Sequence, residues 1–122
     1  MAVLGELESR VMDVLWRVVA PSPVRAVHTE LSQERDLAYT TVMTVLDRLE
    51  KKGLVSRFRQ GRQWLYSPSV TREDLVADEV LEVLEMLSHD APARHAALAG
   101  ILNRLSAEDR SVLKGLLRRE AS

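Results

Sequence analysis

The segment from Tyr39 to Tyr66 constrains the fold more than any other part of the chain. At about 100° per residue, Val42, Val45, Leu46 and Leu49 fall within one narrow arc, which makes an amphipathic helix with a single buried face. The reading places this helix from about Tyr39 to Lys52. Lys51 and Lys52 occupy its last turn and Gly53 follows, the pattern of a left-handed C-terminal cap with cations against the helix dipole. The chain must then turn at once into a different element. Leu54, Val55, Phe58, Trp64 and Tyr66, arranged around Gln60-Gly61-Arg62-Gln63, supply a hairpin. Alternation in its first strand is imperfect, and Pro68 ends the second.

The elements before and after follow from similar signals. Leu7, Val11, Val14, Leu15 and Val18 recur at helical spacing, so a first helix is expected over Leu4 to Val19, with Gly5 as its cap and Glu6 and Glu8 favoured by the dipole. Pro21 and Pro23 stop it. Ser22-Pro23 reads as the start of a short second helix, serine as N-cap and proline at the first helical position, ending near Ser32. Past the hairpin, Thr71 with Asp74 opens a fourth helix to about Ser88. His89 to Pro92 breaks it. A fifth helix covers roughly Pro92 to Leu105, and Ser106 with Asp109 caps a sixth that reaches about Arg119. The expected fold is mainly α: a winged helix-turn-helix of three helices plus a two-stranded wing over residues 1–70, then a helical dimerisation tail over 71–122.

Composition excludes several classes. A chain of 122 residues without cysteine buries roughly two-thirds of its unfolded surface, so it needs no staple. It offers no disulfide framework, thiolate metal site or cysteine nucleophile. His28, His89 and His95 are too scattered for a metal site, and none is expected. No cofactor is expected either. No P-loop, nucleophile elbow or dinucleotide-binding turn is present, and no catalytic constellation can be assembled, so an enzyme is not expected. No apolar run nears the roughly 20 residues of a membrane helix, and the first residues lack the features of a signal peptide. A cytoplasmic protein without membrane insertion is expected.

The net charge of −1 hides an asymmetry. Residues 1–70 sum to +2 and residues 71–122 to −3. Between Tyr39 and Arg62, six basic side chains stand against Asp47 and Glu50. A local patch of this kind is an electrostatic footprint for nucleic acid. The outer side of the third helix carries Thr40, Thr44, Asp47 and Lys51. Met43 and Arg48 flank it, and Thr41 lies near its start. Short hydroxyls can meet base edges and a thymine methyl, while cations further along meet phosphates. Asp47 is expected to pair with Lys51 at i, i+4. Arg57, Arg59 and Arg62 arm the wing.

The runs LGELESRVMDVLW, PVRAVHTEL, AYTTVMTVLDRLEKKGLV and GRQWLYSP resemble the penicillinase-repressor (BlaI/MecI) family of homodimeric winged-helix repressors of β-lactamase and related resistance genes. The resemblance covers residues 4–70 closely and the tail in layout. It implies that Tyr39, Thr40, Thr41, Met43 and Thr44 face the DNA groove, that Arg48, Lys51 and Lys52 form the basic helix end, and that Arg57, Arg59 and Arg62 act from the wing. It also implies a double-stranded operator as partner and relief of repression through a membrane sensor-protease pathway. The staphylococcal cleavage pair is asparagine–phenylalanine. Here Asn103 precedes Arg104, and Phe58 lies in the wing. The copper-responsive branch uses C-terminal cysteines, which this chain lacks.

The tail bears apolar stripes that three helices cannot cover alone: Leu98, Ile101, Leu102 and Leu105 on one helix, and Val112, Leu113, Leu116 and Leu117 on the next. Such stripes mark an interface, and a symmetric homodimer is the simplest partner. Two other readings stay open. One is a small-molecule-responsive winged-helix regulator of the multiple-antibiotic-resistance type. The other is a winged-helix protein-interaction module.

Overall fold

Gly5 starts the first helix with its own N–H, which donates to Glu8 Oε1 at 3.1 Å. A computed structural model describes residues 4–121. The elements run α1 (Glu6–Arg17), β1 (Ser22–Pro23), α2 (Val24–Ser32), α3 (Tyr39–Lys51), β2 (Val55–Gln60), β3 (Gln63–Pro68), α4 (Arg72–Leu84), a 3-10 turn (Glu85–Leu87), α5 (Ala91–Arg104) and α6 (Ala107–Ala121). The chain divides into two compact units, one through Glu79 and one from Val80 onward. The division falls inside α4, beyond the expected boundary at residue 70, because Leu75 of α4 is buried in the core of the first unit.

That core is built from the inner stripes of three helices. Val11, Met12 and Leu15 of α1, Val27 and Leu31 of α2, and Val42, Leu46 and Leu49 of α3 pack together with Leu54, Val55 and Tyr66. Gly53 adopts φ 79°, the left-handed cap that lets the chain leave α3 and enter β2. Trp16 donates from Nε1 to Val70 O at 2.9 Å, which ties the exit of β3 to α1.

The sheet has three strands in the order β1-β3-β2, all antiparallel. This corrects the expectation at Ser22-Pro23. Ser22 pairs with Tyr66 and Pro23 with Leu65. Ser22 is buried, and α2 starts only at Val24. A serine–proline step is a helix-start signal in isolation, but here β3 captures it as an edge strand, where proline needs no ladder donor. The first helix is also shorter than expected at both ends, and α4 tightens into its 3-10 turn after Leu84.

The second unit keeps its turns in place with side-chain caps. Asp90 accepts from Ala93 N–H, and Ser106 accepts from Asp109 N–H, both at 3.0 Å. Arg110 donates to the carbonyls of Leu102 and Asn103 at 3.0 and 2.9 Å, covering the free carbonyl end of α5. Among the described residues, no helix is long and apolar enough to cross a membrane.

One ion pair joins the start of α1 to the end of α3. Lys52 Nζ lies 2.7 Å from Glu8 Oε2, and Glu8 is 8% exposed. Burial pushes the Glu8 carboxyl up, but the Lys52 ammonium and the Gly5 N–H outweigh it and hold the carboxyl below its ordinary value. A depressed carboxyl stabilises the fold above its unfolded pKa and loses that contribution as pH falls through the folded value. Glu8→Gln is therefore expected to cost about 1–3 kcal/mol at pH 7. In urea melts of the two proteins, the gap should narrow as pH drops below about 4.

Candidate nucleic-acid interface

Burial of Val42, Val45, Leu46 and Leu49 turns the opposite face of α3 outward. Tyr39, Thr40, Thr41, Met43, Thr44 and Arg48 are all exposed there. Thr44 donates its hydroxyl to Thr40 O at 2.9 Å, so its oxygen lone pairs remain free to accept. The loop before α3 is fixed by His28, whose Nε2 donates to Leu37 O at 2.7 Å and lies 3.3 Å from the Ser32 hydroxyl. The His28 ring also meets the Tyr39 ring edge-on at 5.7 Å. His28 thus positions the start of the outward-facing helix.

The wing is a six-residue ladder closed by a two-residue turn. Its register pairs Arg57 with Tyr66, Arg59 with Trp64 and Gln60 with Gln63. Gly61 at φ 65° supplies the left-handed residue the tight turn requires, and Arg62 follows it at the tip. Cross-strand partners share a face, so Arg57 and Arg59 lie beside Trp64. Their guanidinium carbons sit 4.5 and 5.2 Å from its ring centroid.

The expected cations do not all stand free. Asp47 holds Lys51 at 3.1 Å, the i, i+4 pair expected from sequence. Its other oxygen lies 3.5 Å from Arg57, which also approaches Glu50 at 4.0 Å and the Tyr66 hydroxyl at 3.5 Å. Arg57 is therefore a strut between wing and helix. Lys52 turns away to Glu8 on α1. Arg59 and Arg62 are exposed and, among the described residues, have no carboxylate partner.

Between α3 and the wing runs a groove of about 590 Å³. Tyr39, Met43, Thr44 and Asp47 form one wall, while Arg57, Arg62, Trp64 and Tyr66 contribute to the other. Arg25, from the first turn of α2, also lines it. Nothing in the sequence singles out Arg25, because a lone arginine on a short helix carries no motif.

A three-helix unit that exposes hydroxyls and cations on its third helix, beside a cationic hairpin, is a winged helix-turn-helix of the DNA-binding class. The model of the penicillinase repressor family matches residues 4–119, and the chain belongs to that family. It is 46% identical over 114 residues to the transcriptional regulator BlaI of Mycobacterium tuberculosis, covering 93% of this chain and 82% of that protein. It is 30% identical over 73 residues to the penicillinase repressor of Bacillus licheniformis, covering 60% of this chain and 56% of the other. The solved DNA-binding domain of the repressor BlaI superposes with a TM-score of 0.53 at 30% identity, over 61% of this chain and 93% of that one. Monomeric Bacillus licheniformis BlaI in complex with the blaP half-operator gives 0.50 at 30% identity, over 59% and 87%.

Asp47 restrains two cations at the groove, so its removal should free them for phosphate. Asp47→Ala is expected to tighten binding to a random-sequence duplex by roughly 3–10-fold at 0.1 M salt and to steepen the salt dependence. Fluorescence-anisotropy titrations at several salt concentrations would measure both.

Proposed function

We propose that this protein is a homodimeric, sequence-specific transcriptional repressor that binds a palindromic operator, at β-lactamase or related antibiotic-resistance genes. The observation that carries the reading is the groove in which Thr44 and Met43 of α3 stand beside the wing cations. Tyr39, Thr40, Thr41, Met43 and Thr44 face the bases. Arg48 and Lys51 on α3, with Arg59 and Arg62 on the wing, meet the phosphates. Lys52 and Arg57 act chiefly by fixing α3 and the wing.

Homodimerisation is assigned to the second unit. Leu98, Ile101, Leu102, Val112, Leu113, Leu116 and Leu117 are each at least 41% exposed, and Leu105 is half-buried. In this unit Leu84 is the one buried large hydrophobic among the described residues. An apolar surface of this kind is covered when a second copy supplies the same stripes. Two reading helices would then address half-sites about one helical turn, or a multiple of it, apart. Release by a membrane sensor-protease pathway belongs to the same reading. Any cut in the second unit must use a bond other than asparagine–phenylalanine, since Asn103 precedes Arg104.

Gel shifts on fragments upstream of the protein's own gene and its neighbours test the reading. A specific shift is expected, with log K falling against log salt at a slope of roughly −5 to −9 for about 6–10 phosphates per dimer. Absence of any specific shift at low salt would sink it. Replacing Arg59 and Arg62 by alanine should weaken all duplexes alike, whereas changing Thr44 should re-rank them. Leu116→Glu should convert the dimer to monomer in sedimentation velocity and lower operator affinity by roughly 100-fold or more through lost avidity.

A further inference from the structure

The cations of the first unit sort into two groups. Arg10 pairs with Glu34, Arg17 with Glu30, Arg35 with Glu6 and Arg72 with Asp13. Lys51, Lys52 and Arg57 are taken by Asp47, Glu8 and Glu50. Among the described residues, Arg25, Arg48, Arg59 and Arg62 have no carboxylate within ion-pair distance. Three of these four belong to the reading helix or the wing. The fourth, Arg25, lies on a different helix and still lines the same groove as Thr44 and Arg62.

Arg25 has no structural employment that explains it. It is exposed, and its guanidinium makes no hydrogen bond or ring contact among the described residues. It stands in the first turn of α2, where the helix dipole disfavours a cation. That turn carries no acidic residue to offset the charge. An unpaired guanidinium on a groove wall matches the planar, bidentate chemistry of a phosphate diester. In a helix-turn-helix, the helix before the reading helix crosses the nucleic-acid backbone, so a phosphate and not a base edge is the group within its reach.

We infer that Arg25 is a phosphate-binding residue of the interface, a third anchor from α2 in addition to α3 and the wing. The inference rests on the DNA-binding reading above. In this arrangement Arg25 from α2 and Arg62 from the wing hold the backbone of the duplex at the one groove they share with Thr44, and together set the register of α3 on the DNA.

The test uses the full chain with Arg25→Ala, Arg25→Lys and Arg35→Ala, titrated into an operator fragment and a random duplex at several salt concentrations. Arg25→Ala should weaken both duplexes by about tenfold per protomer at 0.1 M salt and reduce the magnitude of the salt slope by about one per protomer. Arg25→Lys should recover most of the slope as a point charge. Arg35→Ala removes the same charge from a cation already paired with Glu6, and should leave the slope unchanged. Melting temperatures of the Arg25 variants should match wild type, separating lost contact from lost fold. An unchanged slope for Arg25→Ala, with wild type still binding, overturns the inference and leaves the DNA-binding reading standing. Re-ranking of duplexes by Arg25→Ala would assign it to base readout and overturn the phosphate role. No binding by wild type sinks both.

Discussion

The packing of α3 is the constraint on which the interface depends. With Val42, Val45, Leu46 and Leu49 buried, the rotation of the helix about its axis is fixed, because a turn of one residue would carry about 100° of apolar surface into water. Everything functional follows from that rotation. The threonines point outward because the valines and leucines point inward. The ends are secured separately: His28 and Leu37 fix the approach, and Glu8 with Lys52 fixes the exit. Asp47 then couples the helix to the wing through Arg57. The two parts of the interface are thus held through Arg57 by two carboxylates of α3, Asp47 and Glu50.

This arrangement divides labour among like charges. A cation already paired contributes stability and geometry, and has less to gain from a phosphate. A cation left unpaired keeps its full attraction for a polyanion and is felt over about 10 Å at ordinary ionic strength. Spending Lys52 and Arg57 on internal contacts lowers the purely electrostatic component of binding. On the proposed function, what remains depends more on hydroxyl and methyl contacts along α3, the kind that distinguish one sequence from another. On that reading the acidic residues near the groove serve discrimination.

The helices were legible in the sequence because each carries a stripe at helical spacing and a local stop. Gly53 and Asp90 mark ends whose geometry needs only neighbouring residues. Ser22-Pro23 carries the local signature of a helix start, whereas a two-residue strand has no periodicity and its partners on β3 lie far along the chain. The site was legible to a similar depth. The Asp47–Lys51 pair follows from spacing within one helix. That Lys52 belongs to Glu8 and Arg57 to Asp47 is a tertiary fact, invisible until α1 and the wing are laid against α3. From sequence alone the cations look equivalent, and only packing sorts them by their partners.

Strand β1 has a consequence for solubility. A hairpin that projects from a small domain offers two unpaired edges, each a template for another chain. Here β1 covers β3 at Leu65 and Tyr66, so the edges of the sheet are β1, two residues long and ending in a proline with no N–H to donate, and β2. The β2 edge carries Arg57 and Arg59 within a run of six residues, and edge cations oppose the approach of a second identical strand. A dipeptide placed before α2 thus protects the wing from self-association, so that copies meeting at high local concentration pair elsewhere than through their sheets.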